Sequence, residues 1–350
     1  NARQTASGED RYLTALAYFW TEAAPSFPIH PRVMPVLTSD RAQWHDPAYR
    51  EQDKALITRW AHSGAARIAT WDYYFGAPYP YPRQFNQWID ASIKHLHQQG
   101  VDVFYTQLPS IWGLDGAKGW LTSELLWDPS QDAAALLAEY YQNFFGVAAE
   151  PIREFYAIAE AHRNAHAGTA SWIKYHKDSS GISLFPLETL ASMRAQIEKA
   201  QQLVTADPRR LARVEIVSQA FSFTEAYAAY HRAREALISA TLAHAVDLPK
   251  RYADFIQLRS AYQTLSSQLI EEPLHQQLRA FTKIQQPDPT GMALLAMAQN
   301  QLALPEHPYQ ELQAFAEGDR ALSSELKNTD LTRSGMIRHR FPEPALPDIK

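Results

Sequence analysis

The sequence predicts an α/β domain followed by an all-α domain. Eight of the nine tryptophans lie at or before Trp127, and the remainder is dominated by Ala, Leu, Gln, Glu and Arg at helical spacing. In the first half, short β-rich runs alternate with helical stretches, a pattern typical of a parallel sheet. We expect the change of domain between Asp128 and Gly146, with domains at 1–128 and 129–330 and an extended tail at 331–350.

Four strands are predicted in the first half, because four short runs are rich in β-branched and aromatic residues. Pro35 weakens the second of them, since proline cannot donate to a sheet. A helix is expected at 52–62, and a second one has its apolar residues on one face and ends at Gly100. The stretch 20–31 holds three prolines and no helical period, and is expected to be a long loop. The predicted strands are Tyr12–Phe19, Arg32–Leu37, Arg67–Tyr74 and Val101–Gln107.

The second half is predicted to be helical throughout. Asp128 followed by proline is typical of a helix start, and the apolar stripe that follows is closed by Gly146. Asp207 followed by proline indicates a long helix that runs to about residue 244. Between them, four apolar residues have nearly heptad spacing, which favours packing in a helical bundle. These four are Leu187, Leu190, Ile197 and Val204.

Composition excludes several classes of function. The net charge of −5 and the lack of a basic block argue against nucleic acid as a partner, and no apolar run is long enough for a membrane span. The absence of cysteine excludes thiol nucleophiles, disulfides and Cys-ligated zinc. His162 and His166 have the spacing of two ligands on one helical face but lack the glutamate of the metalloprotease motif, so neither a metal nor a cofactor is expected.

The order of several short motifs resembles a bacterial family of domains of unknown function, number 4838. Its members look like distant relatives of the glycoside hydrolases typified by α-glucuronidases and β-hexosaminidases. The resemblance covers Tyr12 to Tyr156, and its most specific part is the segment from Leu125 to Gly146. The motifs are Ala17-Tyr18, Trp71-Asp72-Tyr73, Pro78-Tyr79-Pro80-Tyr81-Pro82, Gly100 to Phe104, Glu124-Leu125-Leu126-Trp127-Asp128-Pro129, Tyr140 to Ala149 and Phe155-Tyr156.

This resemblance implies that the first domain is the C-terminal part of a (β/α)8 barrel of the TIM type. Four strands leave such a barrel open, so we expect the other strands upstream of Asn1 and an upstream fragment of the same protein as partner. The resemblance also implies a glycoside hydrolase that acts on a polysaccharide or oligosaccharide, and a periplasmic or secreted location.

Hydrolysis of a glycosidic bond needs a carboxylic acid and usually a second carboxylate. Asp72 is the first candidate, because it is expected at the end of a strand between two aromatic residues. Glu22, in the proline-rich loop, is the second. The alternatives are that Asp72 caps a loop or pairs with Arg67 or Arg83, and that Glu22 is a solvated loop residue.

Aromatic residues at strand ends are candidates for sugar binding, because Trp and Tyr rings stack on the apolar C–H faces of sugars. The alternative for each of them is core packing. A binding protein that kept the cleft but lost the acid pair, and a structural helical module, are the competing functions. The expected substrate-binding residues are Tyr18, Trp20, Trp71, Tyr73, Tyr105, Gln107 and Trp112.

Overall fold

The computed structural model describes residues 11–74, 80–106, 111–166, 182, 185–242 and 247–278. Over these ranges the protein is a mixed α/β structure, mostly helical, with one four-stranded parallel sheet. The described residues divide into two compact units, one that runs to Ala228 and resumes at Thr264, and one formed by Ala229–Gln263. The domain boundaries at residues 128 and 330 stay predictions, and the tail 331–350 lies outside the described residues.

All four predicted strands are present and parallel, which confirms the predicted sheet. They lie side by side in chain order, and each successive pair is joined by hydrogen bonds. Pro35 lies inside the second strand, opposite Ala15. These strands form an open sheet, and its closure into a barrel stays a prediction. The strands are β1 (Leu13–Ala17), β2 (Val33–Ser39), β3 (Ile68–Asp72) and β4 (Val101–Thr106).

Two helices cross between the strands, α1 (Pro47–Ala61) after β2 and α2 (Asn86–Gln98) after β3. Helix α1 begins five residues before the predicted start, because the Asp46 side chain accepts a hydrogen bond from the backbone N–H of Ala48 and proline fills the first helical position. Gly100 has a φ of +78° and ends α2 before β4, as predicted.

The sheet buries the face that α1 and α2 cover. Leu37 and Ile68 of the strands pack there against Ile57 and Trp60 of α1 and Leu96 of α2. Side chains alternate between the faces of a strand, so the neighbours of these residues lie on the other face. That second face is more open, since Leu16 is 52% and Tyr105 48% exposed.

Seven helices follow β4 in the described residues, which confirms the helical second half. Their core joins the apolar faces of several helices around Phe155 and Phe221. Of the four residues with heptad-like spacing, Leu190, Ile197 and Val204 are buried, whereas Leu187 is exposed because it is the first residue of its helix. The helices are α3 (Trp112–Asp115), α4 (Lys118–Trp127), α5 (Ala133–Phe145), α6 (Ala149–Asn164), α7 (Leu187–Leu203), α8 (Pro208–Leu242) and α9 (Leu248–Leu269).

The predicted helix start at Asp128 is wrong, whereas the one at Asp207 is confirmed. Asp128 lies in the turn after α4, where its side chain accepts from the backbone N–H of Ser130. Asp132, four residues later, caps α5 by accepting from the N–H of Ala134 at 2.9 Å. Asp128 and Asp132 have the same capping chemistry, so the sequence pattern could not show which of them begins α5.

Candidate functional site

The carboxyl ends of the four strands meet at one edge of the sheet, because all of them are parallel. This carboxyl edge is where open α/β sheets and barrels place their ligand sites. Tyr18 follows β1, Asp40 follows β2, and Asp72 ends β3 with Tyr73 directly after it. The sequence predictions for Tyr18, Asp72 and Tyr73 therefore fall on one edge.

Four of the predicted sugar-binding residues form an aromatic cluster at this edge, namely Tyr18, Trp71, Tyr73 and Tyr105. Trp71 and Tyr105 are direct neighbours across β3 and β4, with ring centroids 4.2 Å apart and planes tilted by 45°. The Tyr73 ring lies 6.4 Å from that of Trp71. Burial and a hydrogen bond with Tyr18 raise the pKa of Tyr73 above that of a free phenol. Since β2 lies between β1 and β3, this Tyr18–Tyr73 bond spans the end of β2.

A strained turn positions Tyr18. Phe19 has a φ of +55°, which is uncommon for an aromatic residue, and it begins the 3-10 turn Phe19–Thr21. The Thr21 hydroxyl holds this turn, since it donates to the carbonyl of Leu16 at 2.6 Å and accepts from the backbone N–H of Tyr18 at 3.3 Å. Strain of this kind is common beside functional sites.

Three predicted sugar-binding residues are not part of the aromatic cluster. Trp20 and Trp112 are both exposed, and within the described ranges no aromatic ring contacts either of them. Trp112 is the first residue of α3, the helix that follows β4 in the sequence. Gln107 lies outside the described residues.

Asp72 is fully buried, with 0% exposure, on the face of the sheet that the helices cover. Its Oδ1 accepts from the backbone N–H groups of Arg41 and Tyr73, at 3.1 and 2.8 Å, and its Oδ2 accepts from Nη1 of Arg41 at 3.0 Å. The expected alternative partners bind elsewhere, since Arg67 pairs with Asp102 and Arg83 with Asp40. Burial raises the pKa of Asp72 to about 6, although the Arg41 guanidinium opposes this shift.

Glu22, the second predicted acid, is half-buried just after the Phe19–Thr21 turn. Its backbone carbonyl accepts from the indole N–H of Trp60 at 2.8 Å, which ties this loop to α1. The structure therefore places the Glu22 backbone against the helical layer. Its catalytic role stays a prediction.

The sequence reasoning missed Asp40, the residue that follows β2. Asp40 is fully buried, and its Oδ2 accepts from Nη2 of Arg83 at 2.7 Å and from the Gln43 amide at 3.2 Å. Arg83 also donates from Nη1 to the backbone carbonyl of Tyr73 at 3.5 Å. The polar run Thr38-Ser39-Asp40 at the end of an apolar strand was the available signal, because such ends face the carboxyl edge.

Several buried polar atoms at this edge have no hydrogen-bond partner among the described residues, and two of them lie on residues of complementary chemistry. These two are Oδ1 of Asp40, which can only accept, and Nε1 of Trp71, which can only donate. Most buried polar atoms in proteins are paired, and an unpaired one costs on the order of 1–3 kcal/mol. These two atoms are therefore one free acceptor and one free donor.

His45 lies just beyond Asp40, at the end of the 3-10 turn Arg41–His45. It is buried, its Nδ1 is 3.2 Å from the carbonyl of Ala42, and its Nε2 has no partner. Burial and the charges of Arg163 and Arg83 lower the pKa of His45 to about 4, so the ring is neutral at pH 7.

The described residues contain neither a metal-binding cluster nor a membrane-spanning helix. Among the described residues, no group of three or more His, Asp or Glu side chains is placed to hold a metal ion. No helix within the described ranges combines the length and the apolar character that a membrane crossing requires.

Comparison with known proteins finds a family model that matches less than half of the chain. No curated protein and no solved structure matches this sequence. The family match covers the sheet, its crossing helices and the helices into α6, and it supports the family that the motifs predicted. Residues 7–157 match the model of a family described as a domain of unknown function, DUF4838.

Proposed function

We propose that this protein binds a saccharide at the carboxyl edge of its sheet, as part of a glycoside-hydrolase-like protein. The observation that carries the proposal is the side-by-side arrangement of Trp71 and Tyr105, with ring centroids 4.2 Å apart at the edge where parallel sheets bind ligands. Tyr105 is about half exposed, so part of this aromatic surface is open to a ligand.

The chemistry of the edge matches that of a sugar. Pyranose rings offer apolar C–H faces that stack on Trp and Tyr, and their hydroxyl groups need both donors and acceptors. The aromatic cluster supplies the faces, and the buried polar groups around Asp40 and Arg83 lie at the same edge. An exposed surface with only apolar residues would support a protein partner instead.

The proposal includes a (β/α)8 barrel that an upstream part of the same protein completes. In the described residues β1 is an edge strand, and its Leu13 and Leu16 are exposed. Parallel sheets are normally covered on both faces, and an open apolar edge invites pairing. Strands added beside β1 would cover these residues and enclose the carboxyl edge. A protein of this kind that acts on polysaccharides works outside the cytoplasm, in the periplasm or after secretion.

Hydrolysis is a second candidate function, and the pKa of Asp72 favours it. A carboxyl group with a pKa of about 6 holds its proton close to neutral pH, as a general acid must. Asp72, however, is fully buried and both of its oxygens are bonded to Arg41. Binding without hydrolysis is therefore the better supported function for the described residues.

Affinity electrophoresis through gels that contain barley β-glucan, galactomannan or polygalacturonate tests the proposal. We expect at least one polysaccharide to retard the wild-type protein, and Trp71→Ala and Tyr105→Ala to abolish the retardation. Trp127→Ala is the matched control, because Trp127 is an exposed tryptophan at the end of α4 and has no ring contact with the aromatic cluster among the described residues. Equal retardation of all three variants would overturn the proposed site.

A further inference from the structure

Asp40 is held at one oxygen and unsatisfied at the other. Arg83 and Gln43 fix its Oδ2, at 2.7 and 3.2 Å, while its Oδ1 is buried and has no partner among the residues that the structure describes. The Arg83 side chain is itself buried, so the ion pair is shielded from solvent and holds the carboxylate in one orientation. An acceptor that is anchored in this way is preorganised for a donor that the unliganded protein does not supply.

Asp40 belongs to the same edge as the aromatic cluster. Ser39 pairs with Asp72 in the register of β2 and β3, so the next residues, Asp40 and Tyr73, are neighbours. Arg83 confirms this, since it donates both to the Asp40 carboxylate and to the carbonyl of Tyr73. The hydrogen bond between Tyr73 and Tyr18 spans the end of β2, where Asp40 lies.

Trp71 supplies the complementary atom. Its indole N–H is buried and has no acceptor in the described part of the chain, although its ring packs against that of Tyr105. A hydroxyl group both donates and accepts, so a ligand with several hydroxyl groups satisfies both vacant atoms at once. Water can also do so, which makes a bound water the competing occupant.

We propose that Asp40 and Trp71 form the polar contacts of a subsite for a neutral saccharide, in which Asp40 Oδ1 accepts from one sugar hydroxyl and Trp71 Nε1 donates to another. This inference rests on the proposed saccharide site and adds the class of sugar. Asp40 Oδ1 can only accept, and an ionised uronate or sulfate group has no hydrogen to donate to it, so this contact selects the hydroxyl groups of a neutral sugar.

The test compares neutral and acidic polysaccharides with two conservative variants. In Asp40→Asn the amide oxygen turns to Arg83, so the amide NH2 group takes the place of Oδ1 and the acceptor becomes a donor. Trp71→Phe keeps a ring and removes only the N–H. We expect wild-type protein to bind barley β-glucan or galactomannan and not polygalacturonate, and Asp40→Asn to bind about tenfold more weakly. Trp71→Phe should weaken binding several-fold.

Asp53→Asn and Trp127→Phe are the matched controls. Asp53 is also buried and paired with an arginine, but both of its oxygens already accept hydrogen bonds, from Ser39 and from Trp44. Its substitution is expected to lower stability and leave affinity unchanged. Near-UV circular dichroism, recorded at the temperature of the binding assay, shows which variants are folded.

The outcomes separate the two proposals. If Trp71→Ala abolishes binding while folded Asp40→Asn binds like wild type, the role of Asp40 is overturned and the saccharide site stands. If no polysaccharide binds the wild-type protein, both proposals fall. Tighter binding of polygalacturonate than of β-glucan or galactomannan overturns the neutral class.

A crystal structure settles the case in which Asp40→Asn does not fold. Wild-type protein with an oligosaccharide cut from the retained polysaccharide should place a sugar oxygen within about 3.2 Å of Asp40 Oδ1. A water molecule alone at that oxygen, with the sugar bound elsewhere, would overturn the proposal.

Discussion

Arg41 binds Asp72 twice, from its backbone N–H at 3.1 Å and from its guanidinium at 3.0 Å. The same guanidinium forms an ion pair with Asp53 of α1 at 3.0 Å, and its side chain is completely buried. One arginine therefore ties the end of β2 to the end of β3 and to the helix between them. This arrangement gives Asp72 a structural role at the edge, whatever else it does.

Asp72→Ala is expected to lower the free energy of unfolding by about 3 kcal/mol, because the buried guanidinium of Arg41 then keeps only one of its two carboxylate partners. Urea denaturation followed by circular dichroism measures the change. Asp102→Ala is the control, since Asp102 pairs with Arg67 at the surface and should lose less than about 1 kcal/mol. Similar losses in the two variants would argue against the structural role.

His45 predicts a specific dependence of stability on pH. Its pKa is about 4 in the folded protein and about 6.5 when unfolded, so its contribution to stability is complete above pH 6.5 and is lost as the pH falls to 4. Asp72 has the opposite sign. Its raised pKa of about 6 adds stability at low pH, which is lost as the pH rises from 3.8 through 6.

Because the two groups oppose each other between pH 6 and 4, the clearest measurement is a difference between proteins. His45→Gln removes the histidine contribution, so its free energy of unfolding should rise by about 2 kcal/mol relative to wild type when the pH is lowered from 7 to 4. Exposed His97 is the control, and His97→Gln should follow the wild-type curve. Parallel curves for wild type and His45→Gln would contradict the assignment.

Gly113 permits close contact between α3 and α8. A Cβ added at Gly113 would lie 2.6 Å from the Cβ of Ala220 and would also clash with the backbone carbonyl of Ile216. Gly113→Ala should therefore cost on the order of 1–3 kcal/mol of stability by overpacking. Ser123→Ala, in exposed α4 surface, should change the urea midpoint little. A midpoint equal to wild type for Gly113→Ala would show that the two helices separate at no cost.

The exposed edge strand predicts self-association of the chain when it is produced alone. Leu16 is 52% exposed on β1, the edge strand of the described sheet. Leu16→Lys places a charge on this edge and should reduce the fraction of oligomers in sedimentation velocity runs. Ser123→Lys, on the exposed surface of α4, adds the same single positive charge and controls for the change in net charge. If Leu16→Lys leaves the fraction of oligomers unchanged, β1 is not the surface through which the chain associates.

The strand order and the aromatic cluster were accessible from the sequence, because alternation and strand ends are local features. Trp71 and Tyr105 could be placed at one edge once their strands were assigned as parallel neighbours. Asp40 could be placed at the same edge by its position after β2, but its pairing could not be predicted, since Arg83 lies 43 residues away and no spacing rule joins them. The same reason explains why Arg67 and Arg83 were the alternative partners considered for Asp72, whereas Arg41 is its partner in the structure.

The hydrogen bond between Tyr18 and Tyr73 has a kinetic consequence for the proposed ligand. It joins the residues that follow β1 and β3 across the end of β2. If a sugar hydroxyl reaches Asp40 from this side, the two phenols must separate first. Entry would then be timed by the protein's own opening, and the association rate would level off as the sugar concentration rises. A bound sugar would leave slowly for the same reason, and a glycan that fits loosely would be rejected before the phenols close again.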